Sequence, residues 1–141
     1  MGRLTTARVL VDTGAWLASF SRRDQHHEAA AATFRSLRRD RTRLVVTDLV
    51  LAELHLHLVH RLGPVRAVEY LDAVTSDPLV DEVFADRGLR DAAVTDWMRR
   101  FSDQPFTLTD AVSFAVMRAE GVTTAFTFDR HVTVAGFRTL P

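Results

Sequence analysis

The stretch Arg8-Val9-Leu10-Val11-Asp12-Thr13-Gly14-Ala15-Trp16 constrains the fold more than any other part of the chain. Val9, Leu10 and Val11 form an unbroken apolar run rich in β-branched residues, which suits a short strand covered on both faces. The run stops on a carboxylate, Asp12. Thr13 and Gly14 then turn the chain, and Ala15-Trp16-Leu17-Ala18 begins a helix. A strand buried on both faces belongs to a parallel sheet sandwiched by helices, and ligands of such sheets bind beyond the carboxyl ends of the strands. Asp12 is therefore placed to face a ligand or a metal. What the chain does then depends on whether other carboxylates reach the same edge.

The rest of the sequence alternates strand and helix signals. His27 to Arg39 is predicted as a helix, with Ala29, Ala30, Ala32, Phe34 and Leu37 at helical spacings, and Leu44 to Thr47 as a second strand. A long helix is predicted from Asp48 to Leu62. Leu54, Leu56 and Leu58 alternate with His55 and His57 in strand fashion, but Thr47 or Asp48 can cap the run and Gly63-Pro64 stops it. Pro64 suits the first turn of the next helix, with Val65, Val68, Leu71 and Val74 on one face. Leu79 to Val83 reads as extended, Asp86 to about Phe101 as a helix, Thr109 to Glu120 as a helix stopped by Gly121, Thr123 to Phe128 as a strand and Gly136 to Leu140 as a short last strand. The sum is an α/β chain with a central, mostly parallel sheet of four or five short strands flanked by helices.

Composition removes several alternatives. The 141 residues predict a single domain, 1–141, long enough to fold without staples. There is no cysteine, which excludes a cysteine nucleophile and a thiolate zinc site. No apolar run reaches membrane-spanning length and no signal-peptide core is visible, so no membrane partner and a cytoplasmic location are expected. Net charge is zero, so no global field draws in nucleic acid. All eighteen basic residues are arginine, and lysine, isoleucine and asparagine are absent, the usage of a GC-rich genome.

Four carboxylates are predicted to converge. Asp12 ends the first strand and Asp129 follows the strand through Phe128. Asp110 lies in the first turn of a late helix, and Glu53 lies about one and a half turns into the helix after the second strand. Helices that start at the carboxyl edge run back, and the strands that follow them return, so all four reach one edge. Singly, Asp110 could serve only the helix dipole and Asp12 or Asp129 only an Asx-turn. Together they are costly. Two like charges about 4 Å apart repel by roughly 4 kcal/mol at an effective dielectric near 20. Such a cluster raises its own pKa values or requires a cation, and oxygen-only ligands suit Mg²⁺ or Mn²⁺.

Val9-Leu10-Val11-Asp12-Thr13-Gly14-Ala15-Trp16, Thr47-Asp48-Leu49-Val50-Leu51-Ala52-Glu53, Leu108-Thr109-Asp110-Ala111-Val112-Ser113 and Thr127-Phe128-Asp129-Arg130-His131 together resemble the PIN-domain ribonucleases, and more narrowly the VapC-type toxins of bacterial toxin–antitoxin pairs. The resemblance spans nearly the whole chain. It implies a PIN-like three-layer sandwich and an acidic pocket holding one or two divalent ions, Mg²⁺ or Mn²⁺. Asp12, Glu53, Asp110 and Asp129 match the family's acidic positions; Asp12, Asp110 and Asp129 are the implied ligands, and Glu53 either ligates or orients a water. Thr13, Thr109 and Ser113 match supporting hydroxyl positions. Val132 departs from the pattern, since an aromatic usually follows the histidine. The implied activity is metal-assisted hydrolysis of RNA phosphodiesters. The implied partners are an RNA substrate, a cognate antitoxin that blocks the pocket and a second copy in a homodimer. A housekeeping RNA-processing nuclease and a non-catalytic binding module of the same fold remain the alternatives.

Arg35, Arg38, Arg39, Arg41 and Arg43 form a basic run that reads either as a solvated helix end or, with Arg22, Arg23 and Arg130, as a rim touching RNA phosphates. In the block of His55, His57 and His60, only the last two have helical ligand spacing, and surface or structural roles are expected. His131 beside Asp129 reads equally as a substrate contact or as packing. Trp16 and Phe20 are expected in the core or in a partner groove.

Overall fold

The computed structural model describes residues 6–141. The chain runs β1 (Arg8–Val11), α1 (Thr13–Phe20), α2 (His27–Arg39), β2 (Arg43–Thr47), α3 (Asp48–Leu62), α4 (Pro64–Thr75), β3 (Val80–Val83), α5 (Arg87–Ala93), a π-helical segment (Val94–Arg99), α6 (Leu108–Glu120), β4 (Thr124–Phe126), α7 (His131–Val134) and β5 (Arg138–Leu140). The five strands form one sheet in the order β3-β2-β1-β4-β5, and every neighbouring pair is parallel. The first three strands step to one side of β1, and the chain then returns to add β4 and β5 on the other. The order thus reverses between β1 and β4, the kind of crevice where such sheets bind ligands.

Strand alternation divides the core in two. Val9, Val11, Leu44, Val46 and Phe126 face one layer with α1 to α4, while Leu10, Val45 and Ala125 face the other with α5, the π-helical segment and α6. Both sides of β1 are dry, as its apolar run requires, and Val11 is fully buried. This is a three-layer α/β sandwich.

Local chemistry explains most boundaries. Thr47 caps α3, its hydroxyl accepting from Val50 N–H at 3.1 Å. Asp48 ties that helix start to the loop after β3, accepting from Ala85 N–H at 2.9 Å. Gly121 ends α6 at φ 68°, a left-handed position natural for glycine.

Three expectations need correction. On α4, Val65 and Val68 are 72% and 48% exposed, whereas Ala67 and Val74 are buried. The inward stripe is Ala67, Tyr70, Leu71 and Val74, also at helical spacing, with the small Ala67 facing the core. The strand expected through Phe128 ends at Phe126, because the Thr127 hydroxyl captures Asp129 N–H at 3.0 Å and turns the chain. The helix expected from Asp86 to Phe101 is α-helical only to Ala93 and continues as π-helix.

Candidate active site

Each acidic side chain is carried to the carboxyl edge by a different element. Asp12 ends β1; its N–H bonds the Phe126 carbonyl at 3.0 Å, so the β1–β4 ladder runs up to the carboxylate. Its Oδ1 accepts from Thr13 N–H at 2.8 Å, and its Oδ2 accepts from the Thr127 hydroxyl at 3.0 Å. Asp110 is the third residue of a capping box: it accepts from Thr107 N–H at 3.0 Å, while Thr107 Oγ1 accepts from Asp110 N–H at 3.1 Å. Asp129 accepts from His131 N–H at 2.9 Å, and its Oδ1 lies 3.2 Å from His131 Nδ1. The bland readings of Asp110 and Asp129 are thus true locally, and both residues still line one cavity of about 710 Å³ with Asp12 and Glu53.

The electrostatics follow from this crowding. Burial pushes the Asp12 carboxyl up from 3.8 to about 6, and the nearby Asp110 and Asp129 carboxylates add to the rise. The hydrogen bonds from Thr13 and Thr127 oppose it. The donor set fits a divalent cation. Asp110, Asp129 and His131 each offer a ligand atom, all within 4.8 Å of one another, and Asp12 faces the same space. Thr13 Oγ1 is buried with no hydrogen-bond partner and Thr13 lines the cavity, leaving a hydroxyl free to hold a water.

A PIN-domain family model matches residues 9–137. The chain belongs to the PIN-domain family. It is 32% identical over 130 residues, 92% of this chain and 95% of the relative, to the 23S rRNA-specific endonuclease VapC20 of Mycobacterium tuberculosis. The crystal structure of the M. tuberculosis VapC20 toxin, described as cleaving the sarcin–ricin loop, superposes with a TM-score of 0.81 at 27% identity, covering 92% of this chain and 95% of that one. The VapBC2 complex of Rickettsia felis, bound to a promoter DNA fragment, matches with a TM-score of 0.70 at 12% identity over 94% of this chain and 96% of that one, a likeness of fold. Within its family this PIN domain is of the VapC type, the endonuclease toxins of toxin–antitoxin pairs.

The PIN domain gathers some of the sequence-predicted residues and disperses others. Asp12, Glu53, Asp110, Asp129, Thr13 and Arg130 line the acidic cavity; Thr109 and Ser113 do not. Ser113 is buried on α6, one turn past Asp110, and its hydroxyl has no partner. Arg22 and Arg23 line a separate cleft. Arg41 and Arg43 fall at the entry to β2, the amino edge, a strand length or roughly 13 Å from the carboxylates. Arg43 is also engaged, its guanidinium bonding both Asp81 oxygens at 2.5 and 3.0 Å, which raises its own pKa and lowers that of Asp81. Arg41 and Arg43 thus lie away from the acidic cavity, and Arg43 is tied into the sheet edge.

Four polar lining residues of the PIN domain escaped the predicted site: Thr127, His131, His57 and Gln104. His57 was legible, since it stands one helical turn beyond Glu53 on α3. Thr127 was legible too, as a hydroxyl residue two before an aspartate at a strand end. Its buried hydroxyl donates to the Asp12 carboxylate and accepts from Asp129 N–H, so one oxygen links the Asp12 side chain to the backbone that carries Asp129, 117 positions away in sequence. Thr127→Val is expected to lower cleavage roughly 10- to 100-fold, the usual cost of losing a group that orients a ligand, and to leave Thr127→Ser near wild type. Initial rates of RNA cleavage for the two variants check this; an active Val variant refutes it.

Proposed function

We propose that this protein is one PIN domain, 1–141, acting in the cytoplasm as a divalent-cation-dependent endoribonuclease, the toxin of a type II toxin–antitoxin pair. The substrate class we assign is a ribosomal RNA loop, the kind named for its mycobacterial relative. The observation that carries the reading is the shared cavity of Asp12, Glu53, Asp110 and Asp129, with Asp12 pushed up to about 6. Carboxylates so crowded favour a cation over their mutual repulsion.

Asp12, Asp110 and Asp129 are assigned as ligands, with His131 beside them. Mg²⁺ or Mn²⁺ bound there would supply Lewis acidity and positive charge for phosphodiester hydrolysis. Glu53, one and a half turns into α3 and lining the same cavity, is assigned either to ligate the ion or to orient the attacking water. Thr127 and Thr13 N–H hold the Asp12 carboxylate in one orientation. Arg130, exposed at the cavity rim, meets a substrate phosphate. The cognate antitoxin covers the cavity. A homodimer is favoured by the α3–α4 hairpin, which leaves Leu56, Val65 and Val68 exposed.

The test is cleavage of a sarcin–ricin-loop oligonucleotide with Mg²⁺ or Mn²⁺ and with chelator, alongside sequencing of RNA ends after induced expression. Cleavage that needs the ion is expected. Equal cleavage in chelator overturns the cation dependence, and no cleavage of any RNA overturns the nuclease.

A further inference from the structure

We infer that the arginine-lined cleft between the α1–α2 turn and the α3–α4 hairpin seats the RNA backbone flanking the cleavage point; this rests on the nuclease reading above. The cleft has a volume of about 650 Å³. Arg22, Arg23, Arg61 and Arg66 line it, over Phe20 and Tyr70, and among the described residues no carboxylate does. In a chain of zero net charge this is segregation of charge, placed beside a cavity of opposite sign.

The arginines are free to act. Arg22, Arg23 and Arg66 have no ion pair among the described residues, and Arg61 reaches only Asp24, at 3.9 Å. Elsewhere Arg38, Arg43 and Arg118 are tightly paired with Asp77, Asp81 and Asp96. Arg66 is also pre-positioned: it donates to the Tyr70 hydroxyl at 3.2 Å and lies 5.8 Å from that ring, which packs on Phe20 at 4.6 Å. A guanidinium held in this way loses less freedom when it binds a phosphate.

The cavity and the cleft both take residues from α1 and α3. Leu17 borders the acidic cavity and Phe20, one turn on, borders the cleft. On α3, Glu53, His57 and Arg61 follow at one-turn intervals, so the carboxylate end and the guanidinium end lie about 12 Å apart along the axis. A strand-shaped polyanion with one phosphate at the cation site would pass His57 and place its next phosphates among the arginines. The nuclease reading puts a phosphate at that cation, and a continuous row of phosphates running on to the arginines is what an RNA backbone supplies.

The test measures binding of a short, labelled single-stranded RNA to the full chain carrying Asp12→Asn, which keeps the RNA intact. Adding Arg23→Ala and Arg66→Ala should raise Kd about tenfold or more. It should also make log K against log salt shallower by roughly 1.4, at about 0.7 per lost phosphate contact. In the cleaving wild-type background the same pair should lower kcat/KM mainly through KM. Arg99→Ala with Arg100→Ala, on the opposite face of the sheet, should change none of these. Unchanged affinity and slope in a protein that still cuts RNA overturn the inference and spare the nuclease, as does retained RNA binding with lost capture of an acidic peptide. A wild-type chain that neither binds nor cuts RNA overturns both.

Discussion

Asp12→Asn is expected to reduce RNA cleavage by roughly 10²–10³-fold or more, the scale set by losing one preorganised charge-stabilising group, while making the cation-free protein more stable at neutral pH. Asparagine keeps its one oxygen for Thr13 N–H and presents its amide N–H₂ to the Thr127 hydroxyl oxygen, which can accept, so the local fold survives. What it removes is a buried charge. The folded Asp12 carboxyl titrates near 6 against an ordinary value of 3.8, so the folded chain binds this proton more tightly than the unfolded one. Stability from this group is therefore fullest below about pH 4 and declines as pH rises toward 6. At about 1.4 kcal/mol per pKa unit, up to about 3 kcal/mol is lost across that window. Urea unfolding in chelator from pH 4 to 8 should show the decline in wild type and a flatter profile in Asp12→Asn. With saturating Mn²⁺ the order should reverse, because only the wild type gains full stabilisation from the ion. A wild-type profile that rises from pH 4 to 6, with the variant no more stable than wild type at pH 7, refutes this account of the cavity.

Phe126→Ala should cost about 3–5 kcal/mol, a fall in Tm of roughly 10–20 °C. Phe126 is fully buried in β4, between Phe34 at 4.9 Å and Phe128 at 5.9 Å between ring centres. The cavity left would also loosen the strand that carries Thr127 and Asp129, so cleavage should fall even where the protein remains folded. Phe84→Ala, at a ring 66% exposed, should stay within about 0.5 kcal/mol. Thermal unfolding of the pair measures the contrast, and similar losses at the two sites would contradict the packing described for β4.

Where structure is decided by neighbours in sequence, the chain was legible. The bounds of α2 and α3 match expectation because the apolar spacing, the Thr47 cap and the Gly63-Pro64 stop all act within a few residues. The convergence of Asp12, Glu53, Asp110 and Asp129 was legible because parallel topology sends every strand end and every following helix start to one edge. The misjudged parts depend on distant partners. Arg43 looked like a free cation because Asp81, which holds it, sits 38 positions away on the adjoining strand. Val65 and Val68 looked buried because α4 carries two apolar stripes, and only the docking on α3 selects the one through Ala67 and Val74. His131 joined the acidic group only once the short α7 turned it beside Asp129, and nothing in the local pattern announced that helix.

The cavity takes one wall from β1 and another from the segment just past β4, joined by the Thr127–Asp12 hydrogen bond across 115 positions. A chain still being synthesised therefore carries Asp12, Glu53 and Asp110 without the carboxylate that completes them. The strand leading to Asp129 must also leave the exit tunnel and find β1 before the two halves can close. The cavity is therefore complete only after β4 has been made and has paired with β1. Messages truncated before the codon for Thr124 should accordingly yield inert polypeptide, measurable as unimpaired growth on induction.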